Sequence, residues 1–136
     1  MTVEAGEGLL PIVANDDVVR ARQLVRTLAQ DCRLSLVEQT KLVTAASELA
    51  RNTLVHGGGG TLRGELIRNG LRRGVQVVFR DSGPGIADLE LALTDGWSSG
   101  TGMGLGLSGS RRLVDEFAIE SEPGRGTTVT ITKWAR

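Results

Sequence analysis

Three short polar or glycine-containing blocks, in a fixed order along the chain, most strongly constrain what this sequence can fold into. They are ELARN at residues 48–52, DSGPG at 81–85 and GMGLG at 102–106. The first lies within a helical pattern, the second follows a strand-like apolar run, and the third immediately precedes another helical pattern. Together they favour a nucleotide site built from a helix face, the end of a strand and the start of a second helix.

The length and the glycine distribution predict one folded domain. A chain of 136 residues is long enough for a hydrophobic core and short for two domains. Its 40% hydrophobic and 24% charged residues are typical of a folded protein. The 19 glycines concentrate in 57–60 and 96–109, which indicates loops or close approach of the backbone to a ligand. We expect a single domain over residues 1–136, with a flexible lid at about 86–106.

Charge and cysteine content exclude several classes of function. Sixteen basic and sixteen acidic side chains give zero formal net charge, which argues against a nucleic-acid partner. The single cysteine, Cys32, allows neither a disulfide nor a multi-thiolate metal site within one chain. No apolar stretch approaches the roughly 20 residues of a membrane span, and the N-terminus lacks the layout of a signal peptide. We therefore expect a cytoplasmic protein with no membrane partner.

Two amphipathic helices are predicted in the first half of the chain. The run Asn-Asp-Asp at 15–17 offers N-cap groups for a helix that continues to about Asp31, with apolar residues spaced by three and four. Ser35 and Glu38 have the spacing of a capping box and predict the start of a second helix. This helix should end near Gly57.

The remaining segments predict a sheet and a third helix. Runs with strand character lie at 9–14, 61–67, 75–79 and 128–132. The turn at 69–74 favours a hairpin between the second and third of these strands, a short helical piece is expected at 88–93, and a third helix at 107–117. Antiparallel strands with helices on one face predict an α+β two-layer sandwich with a mixed, mostly antiparallel sheet.

The first block places polar side chains on one side of the second helix. Glu48, Asn52 and His56 are four residues apart and therefore project from the same face. A carboxylate beside an amide oxygen suits Mg²⁺, so one group could bind metal while the other orients a nucleophile; the alternative is a solvated polar face. His56 could polarise a phosphate, or it could cap the helix C-terminus, where the helix dipole favours a cation.

The second block places an aspartate at the end of a strand. Asp81 follows the apolar run at 75–79, and Gly83 and Gly85 allow the backbone to turn tightly. A buried aspartate here could accept a hydrogen bond from an exocyclic amine and so select adenine over guanine. The alternative is a plain turn, since these residue types are common in turns.

The third block could bind phosphate. Gly102, Gly104 and Gly106 alternate before a predicted helix, whose free backbone N–H groups and dipole would favour an anion. The pattern is neither a Walker loop nor a dinucleotide fingerprint. A flexible loop without a ligand would have a similar sequence.

In order and spacing, the three blocks resemble the asparagine box and the two glycine boxes of the ATPase superfamily that includes gyrase, heat-shock chaperone ATPases, histidine kinases and MutL. Other segments resemble the RsbT-type switch serine/threonine kinases, relatives of the anti-sigma-factor kinases: RARQ at 20–23, SELARN at 47–52, DGWS at 95–98, DEF at 115–117 and IESEPGRGTT at 119–128. The resemblance extends from about residue 9 to residue 134. It implies the two-layer ATP-binding fold of that superfamily, with ATP and Mg²⁺ as cofactors.

The resemblance also implies a role for individual residues. Glu48 would be the general base, Asn52 the Mg²⁺ ligand, Asp81 the adenine contact on the turn of Gly83 and Gly85, Gly102, Gly104 and Gly106 the lid glycines, and Thr128 a residue that helps to hold the adenine side. The lid sequence at 100–107 is also similar to that of sensor histidine kinases. Those kinases, however, usually carry asparagine where this chain has Glu48 and lysine where it has Val55. The one histidine of this chain, His56, lies on the same helix face as Glu48 and Asn52 of the first block. Histidine autophosphorylation is therefore disfavoured.

For function, the resemblance implies an ATP·Mg²⁺-dependent serine/threonine kinase. Its substrates would be STAS-domain proteins of a stressosome-like complex, and the released kinase would activate a PP2C-type phosphatase regulator. An alternative is an anti-sigma factor that sequesters a sigma factor in a nucleotide-dependent manner. A third hypothesis, simple ATP hydrolysis, is disfavoured because larger relatives complete such a site with a second domain.

Overall fold

Five strands and three helices form the described part of the chain. The computed structural model describes residues 2–86, 93 and 107–136, with side chains from residue 8 onward. The strands are β1 (Thr2–Ile12), β2 (Gly60–Asn69), β3 (Arg72–Asp81), β4 (Glu116–Glu122) and β5 (Gly126–Trp134). The helices are α1 (Asn15–Asp31), α2 (Leu36–Val55) and α3 (Leu107–Leu113).

The strands form one sheet in the order β1-β2-β3-β5-β4. Each of the four neighbouring pairs is antiparallel, so the described strands include no parallel pair of the kind that a mixed sheet would have. The helices pack on one face, and the α+β two-layer architecture expected from the sequence is confirmed. Among the described residues, no helix is both long and apolar enough to cross a bilayer.

The core lies between this face of the sheet and the first two helices. In β3, Val75, Val77 and Phe79 are buried because alternate residues of a strand point to the same face. Helix α2 contributes a stripe that includes Leu42 and Leu49, each at most 1% exposed. Burying one such side chain stabilises the fold by about 1.5–3 kcal/mol, so this layer holds α2 firmly against the strands.

Helix α2 begins where its sequence predicts. The hydroxyl of Ser35 accepts a hydrogen bond from the backbone N–H of Glu38 at 3.2 Å and donates to the Glu38 carboxylate at 3.1 Å. This confirms the capping pair. The helix ends at Val55, and the backbone N–H of His56 donates to the carbonyl of Asn52, close to the predicted end near Gly57.

Of the three residues at 15–17, Asp17 is the one whose side chain accepts hydrogen bonds from the backbone at the start of helix α1. Its Oδ2 atom accepts hydrogen bonds from the N–H groups of Val13 at 2.9 Å and Ala14 at 3.1 Å, and its Oδ1 atom accepts one from Arg20 at 2.8 Å. The Val13 hydrogen bond is the main cause that lowers the pKa of Asp17 below its ordinary value of 3.8, and burial acts in the opposite direction. Ala14 is the N-cap residue by backbone conformation.

Two strands differ from the expectation. The predicted third helix ends at Leu113 rather than at Phe117, because residues from Glu116 alternate between exposed and partly buried positions and pair with β5. Phe117 lies four residues after Leu113, so these two apolar residues also fit a helix, which conceals this alternation. Strand β1 begins at Thr2 rather than at residue 9 and contains a register shift between Glu4 and Glu7. The helical piece at 88–93 and the lid lie outside the described residues, apart from Ile86 and a turn residue at 93.

The end of the sheet where β3 begins and β5 ends carries a network of paired charges. It is here called the C-terminal network and consists of Glu38, Asp115, Lys133 and Arg136. Lys133 is 4% exposed, and its Nζ atom lies 3.6 Å from Oδ1 of Asp115. Arg136 forms ion pairs with Asp115 and, at 3.0 Å, with Glu38. The network ties β5 to the beginning of β4 and to the first turn of α2.

Trp134 lies beside this network. Its backbone N–H donates to Oδ2 of Asp115 at 2.7 Å, and its indole N–H donates to Glu116. The guanidinium carbon of Arg72 lies 4.5 Å from the centroid of the Trp134 ring, within the range of a cation–π contact. Trp134 is 3% exposed, so the protein's own side chains cover this end of the sheet.

Candidate functional site

A pocket lies at the opposite end of the sheet, where α2 passes over the end of β3 and the start of β5. One stripe of α2 and the glycine after it contribute Leu49, Asn52, Thr53, His56 and Gly57; the two strands contribute Phe79, Asp81, Thr127 and Val129; and Gly85, Ile86 and Leu107 complete the lining. The pocket therefore brings together Asn52 of the first sequence block and Asp81 and Gly85 of the second. Leu107, which directly follows the third block, lines it too.

The carboxylate of Asp81 is held by the main chain through one of its two oxygens. Its Oδ1 atom accepts hydrogen bonds from the N–H groups of Gly83 at 2.9 Å and Thr127 at 3.2 Å. Within the part of the chain that the structure describes, Oδ2 has no hydrogen-bond partner. Since a carboxylate oxygen is a strong acceptor, Oδ2 is available to an N–H group of a ligand in the pocket.

Gly57 is in direct contact with this carboxylate. A Cβ atom at position 57 would overlap Cγ of Asp81 and lie 2.6 Å from its Oδ2 atom. At the end of the same glycine run, a Cβ atom on Gly60 would overlap the carbonyl oxygen of Arg80. The run at 57–60 therefore allows the chain to leave α2 and enter β2 with its backbone against β3, which gives a physical reason for a feature that the sequence alone left unassigned.

The two glycines of the second block also mark close backbone contacts. A Cβ atom on Gly83 would lie 2.7 Å from the carbonyl oxygen of Gly57, and one on Gly85 would overlap the carbonyl oxygen of Glu122. The N–H of Ile86 donates to the hydroxyl of Ser121 at 2.8 Å. The loop after Asp81 is thus packed against both the glycine run and the β4–β5 turn.

Thr127, rather than the expected Thr128, lies beside Asp81. Thr127 is the cross-strand partner of Asp81 and lines the pocket. Thr128 is the partner of Arg80, and its side chain is on the opposite face of the sheet, in a groove beside the glycine run. Strand alternation could have identified this difference, because Thr127 shares its face with the buried residue Val129.

Gly126 is required by the same arrangement. Its φ angle is +86°, and a Cβ atom there would overlap the carbonyl oxygen of Asp81. A left-handed conformation disfavours any residue with a side chain. The close contact with Asp81 also leaves no space for a Cβ atom at position 126. Gly126 therefore allows β5 to begin close enough to Asp81 for the Thr127 N–H to reach Oδ1.

The other expected site residues are placed as follows. Glu48 is partly buried on α2, one turn before Asn52, and is not part of the pocket lining in the described residues. Gly102, Gly104 and Gly106 lie outside the described residues. The structure therefore brings Asn52, Asp81 and Gly85 to one pocket. Gly83 packs against the backbone of Gly57, which also lines the pocket.

The donor set near the pocket is compatible with Mg²⁺ held jointly by protein and ligand. The described residues include no group of three or more metal-ligating His, Cys, Asp or Glu side chains. Mg²⁺ is usually bound through one or two protein oxygens together with phosphates and several waters. The amide of Asn52, which lines the pocket, can supply such an oxygen.

Comparisons with known proteins agree with this geometry. Residues 37–136 match the family described as histidine kinase-, DNA gyrase B- and HSP90-like ATPases. The serine/threonine-protein kinase RsbT of Bacillus subtilis is 39% identical over 125 residues, which cover 92% of this chain and 94% of RsbT. The anti-sigma F factor of Caldanaerobacter subterraneus subsp. tengcongensis is 30% identical over 122 residues, with 84% and 82% of the two chains covered.

A solved structure shares the fold. The catalytic domain of the histidine kinase ThkA, in a nucleotide-free form, superposes with a TM-score of 0.54 and covers 93% of this chain and 95% of its own. Its sequence identity is 15%, so the likeness concerns the backbone architecture alone.

Proposed function

The chain belongs to the histidine kinase-, DNA gyrase B- and HSP90-like ATPase family and to its RsbT-type serine/threonine kinases, and from this premise we propose that it phosphorylates a partner protein with ATP·Mg²⁺. The observation that carries the proposal is the Asp81 carboxylate, which keeps Oδ2 without a partner among the described residues and lines a pocket together with Asn52 of α2. The similarity to RsbT over 92% of the chain supports protein phosphorylation as the reaction.

Adenine fits the pocket chemistry. Oδ2 of Asp81 would accept a hydrogen bond from the exocyclic amine of the base. Guanine would present a carbonyl oxygen at the same position, which a carboxylate repels. Leu49, Ile86 and Val129, which line the pocket, would pack against the apolar surface of the base. Thr127 would take the place proposed by resemblance for Thr128 on the adenine side.

Two residues of α2 would act on the phosphates and on the substrate. Asn52 would hold Mg²⁺ through its amide oxygen, and the ion would supply neutralisation of the phosphate charge. Glu48, one turn earlier on the same helix, would accept the proton of a serine or threonine hydroxyl of the substrate. At the same time the hydroxyl oxygen would bond to the γ-phosphorus, and the bond between this phosphorus and the leaving ADP would break. A positioned general base contributes roughly 10²- to 10⁴-fold in rate. Gly102, Gly104 and Gly106 would enclose the phosphates.

The classes of partner protein are also proposed. STAS-domain proteins would be the substrates, and the released kinase would activate a PP2C-type phosphatase regulator. A second candidate, a nucleotide-dependent anti-sigma factor that sequesters a sigma factor, is favoured by the similarity to anti-sigma F factors, such as the 30% identity to the Caldanaerobacter protein. The two candidates use one ATP site and differ in whether phosphate is transferred.

Phosphate transfer to a purified partner tests the proposal. The chain would be incubated with γ-labelled ATP, Mg²⁺ and a STAS-domain protein encoded beside it, and acid-stable label on the partner is expected. Glu48→Gln should lower kcat by about 10²- to 10⁴-fold while ATP affinity is retained. The matched control is Glu120→Gln, an exposed glutamate on β4, which should leave kcat unchanged. Tight ATP binding without transfer, combined with capture of a sigma factor, would favour the anti-sigma function.

The binding residues should behave differently from Glu48. Asp81→Asn removes a charge-assisted hydrogen bond, which is worth about 1.5–3 kcal/mol and corresponds to about a 10- to 150-fold weaker Kd for ATP. Asn52→Ala should weaken ATP binding in Mg²⁺ and have little effect in EDTA. An equal loss of nucleotide binding in all three variants would contradict this division of roles.

A further inference from the structure

Two exposed arginines have no part in the proposed phosphate transfer. Arg22 belongs to the segment RARQ on α1, and Arg51 belongs to the segment SELARN on α2. Both line one groove between the two helices, whose other lining residues are Asn15, Val18 and Leu54. This set of five residues is here called the α1–α2 groove. The fold therefore brings together two sequence segments that are far apart along the chain.

Among the described residues, no acid neutralises the two guanidinium groups of this groove. Neither Arg22 nor Arg51 forms a hydrogen bond or an ion pair within residues 2–86, 93 and 107–136, whereas Arg20 is paired with Asp17 at 2.8 Å. On α1, the residues one turn from Arg22 are three valines and another arginine. On α2, Glu48 lies one turn before Arg51 and forms no ion pair with it in that same part of the chain. Because like charges repel each other, an anionic group between the arginines would be stabilising.

The groove also has an apolar floor and exposed apolar neighbours. Val18 is 8% exposed and Leu54 is partly buried. Their sequence neighbours Val19 and Val55 are 47% and 48% exposed. A small inorganic anion would leave these valines in water, and the zero formal net charge disfavours a nucleic acid. Arginine beside apolar side chains is typical of protein–protein interfaces, so the groove fits a segment of a protein.

The α1–α2 groove lies next to the nucleotide pocket and shares no lining residue with it. Arg51 directly precedes Asn52, which lines the pocket. A protein held in the groove would therefore be close to the residues proposed to act on the phosphates and on the substrate hydroxyl. Its binding could nevertheless be changed without a change in nucleotide affinity.

We propose that the α1–α2 groove binds an acidic segment of the partner protein, with an aspartate or glutamate between Arg22 and Arg51 and apolar residues against Val19 and Val55. The inference rests on the proposed function and deepens it, because it names the surface on which the substrate docks. Guanidinium groups bind carboxylates through charge-assisted, often bidentate hydrogen bonds. The arginines take no part in the chemical step, so they act on the KM for the partner and not on kcat.

Steady-state phosphorylation of the STAS-domain protein encoded beside this chain tests the groove. The double variant Arg22→Gln/Arg51→Gln should raise the KM for that protein by about 10- to 150-fold, which is the range for loss of one charge-assisted hydrogen bond. The kcat at saturating partner, the Kd for ADP and the Tm should stay at their wild-type values. The control is Arg33→Gln, an exposed arginine just beyond the end of α1, which should leave the KM unchanged.

A double-mutant cycle identifies the occupant of the groove. Acidic residues on the surface of the STAS-domain protein would be neutralised one at a time, Asp to Asn and Glu to Gln. One of these changes should raise the KM of the wild-type kinase by a similar factor and have little further effect on Arg22→Gln/Arg51→Gln, because groups in contact are not additive.

Three results would overturn the inference. The first is a wild-type KM in the double variant. The second is a loss of ADP affinity as large as the change in KM, which would place the arginines in the nucleotide site. The third is a set of amide shift changes at Asn15 and Arg22 during an NMR titration with inorganic phosphate alone, which would assign the groove to a free anion.

Calorimetric binding of the same STAS-domain protein separates the two possible failures. A wild-type chain that binds this protein and transfers no phosphate would contradict the proposed kinase function, and the double variant should then still weaken the Kd for the protein. Phosphate transfer by the wild type with an unchanged KM in the double variant would contradict the role of the groove alone.

Discussion

The two ends of the sheet differ in how their polar groups are satisfied. Around Asp81, the contacts are made by the backbone of Gly57, Gly83 and Thr127, and both Oδ2 of Asp81 and the His56 ring lack partners among the described residues. In the C-terminal network, each charged group has at least one partner of opposite charge. Asp81 and His56 are partly buried, and their unpaired polar atoms can still form hydrogen bonds, so they indicate an end that a ligand completes, whereas the network indicates an end that holds the fold together.

The largest effect on stability is expected in the C-terminal network. Asp115→Ala would leave Lys133 buried without its partner, and breaking such a pair costs about 3–5 kcal/mol. Urea unfolding measures this loss, and ADP affinity of the folded variant should be unchanged. Asp31→Ala, an exposed acid at the end of α1, is the control and should leave stability almost unaltered. A loss of ADP affinity in Asp115→Ala would break the separation between the two ends.

A smaller effect on stability, with a large effect on binding, is expected from Gly126→Ala. A left-handed backbone strains any side chain by about 1–3 kcal/mol, and the added Cβ atom would also overlap the carbonyl of Asp81. Gly124→Ala is a matched control, because Gly124 has a similar φ of +79° with no atom near its missing Cβ. Both variants should lose stability, and only Gly126→Ala should lose ADP affinity. Equal affinity in the two variants would contradict the role given to Gly126.

Ser35→Ala should produce a loss of about 1 kcal/mol, since it removes an N-cap side chain. The reason is the hydrogen bond that the Ser35 hydroxyl accepts from the N–H of Glu38. Thermal unfolding measures the change, and Ser35→Asp, which retains a capping oxygen, should restore most of it. A change in ADP affinity without a change in Tm would show that the start of α2 is coupled to the pocket at its far end.

The smallest effect at neutral pH is expected from Asp17→Asn, because asparagine keeps an acceptor oxygen and loses only the charge. The pKa of Asp17 is lowered in the folded state, so its contribution to stability is present above the ordinary pKa of 3.8 and is lost as the pH falls through the folded pKa. The difference in Tm between wild type and Asp17→Asn should therefore shrink below pH 3.8. A difference that stays constant into stronger acid would rule out this origin.

Local signals in the sequence predicted much of this fold. The capping pair of Ser35 and Glu38 and the apolar stripe of α2 depend on residues a few positions apart, and both are confirmed. Strand β4 was missed because the spacing of Leu113 and Phe117 also fits a helix. The ion pair between Glu38 and Arg136 joins residues 98 positions apart, which no local pattern reveals.

The lining of the candidate pocket was predictable to a similar extent. The blocks with Asn52 and Asp81 were found from residue type and spacing, and the structure places both residues in one pocket. The sequence analysis named Thr128, whereas its neighbour Thr127 lines the pocket with Asp81, because the choice between neighbouring strand residues depends on cross-strand register. The contact between Gly57 and Asp81 arises only when the end of α2 meets the end of β3 in three dimensions.

The most direct test of the contrast between the two ends is a titration of ¹⁵N-labelled protein with a non-hydrolysable ATP analogue and Mg²⁺, followed by NMR. The largest shift changes are expected at the backbone amides of His56, Gly57, Gly83 and Thr127, and no change is expected at Asp115, Trp134 or Arg136. Shift changes centred on the C-terminal network, or no changes at saturating nucleotide, would contradict the assignment of the Asp81 end as the nucleotide site.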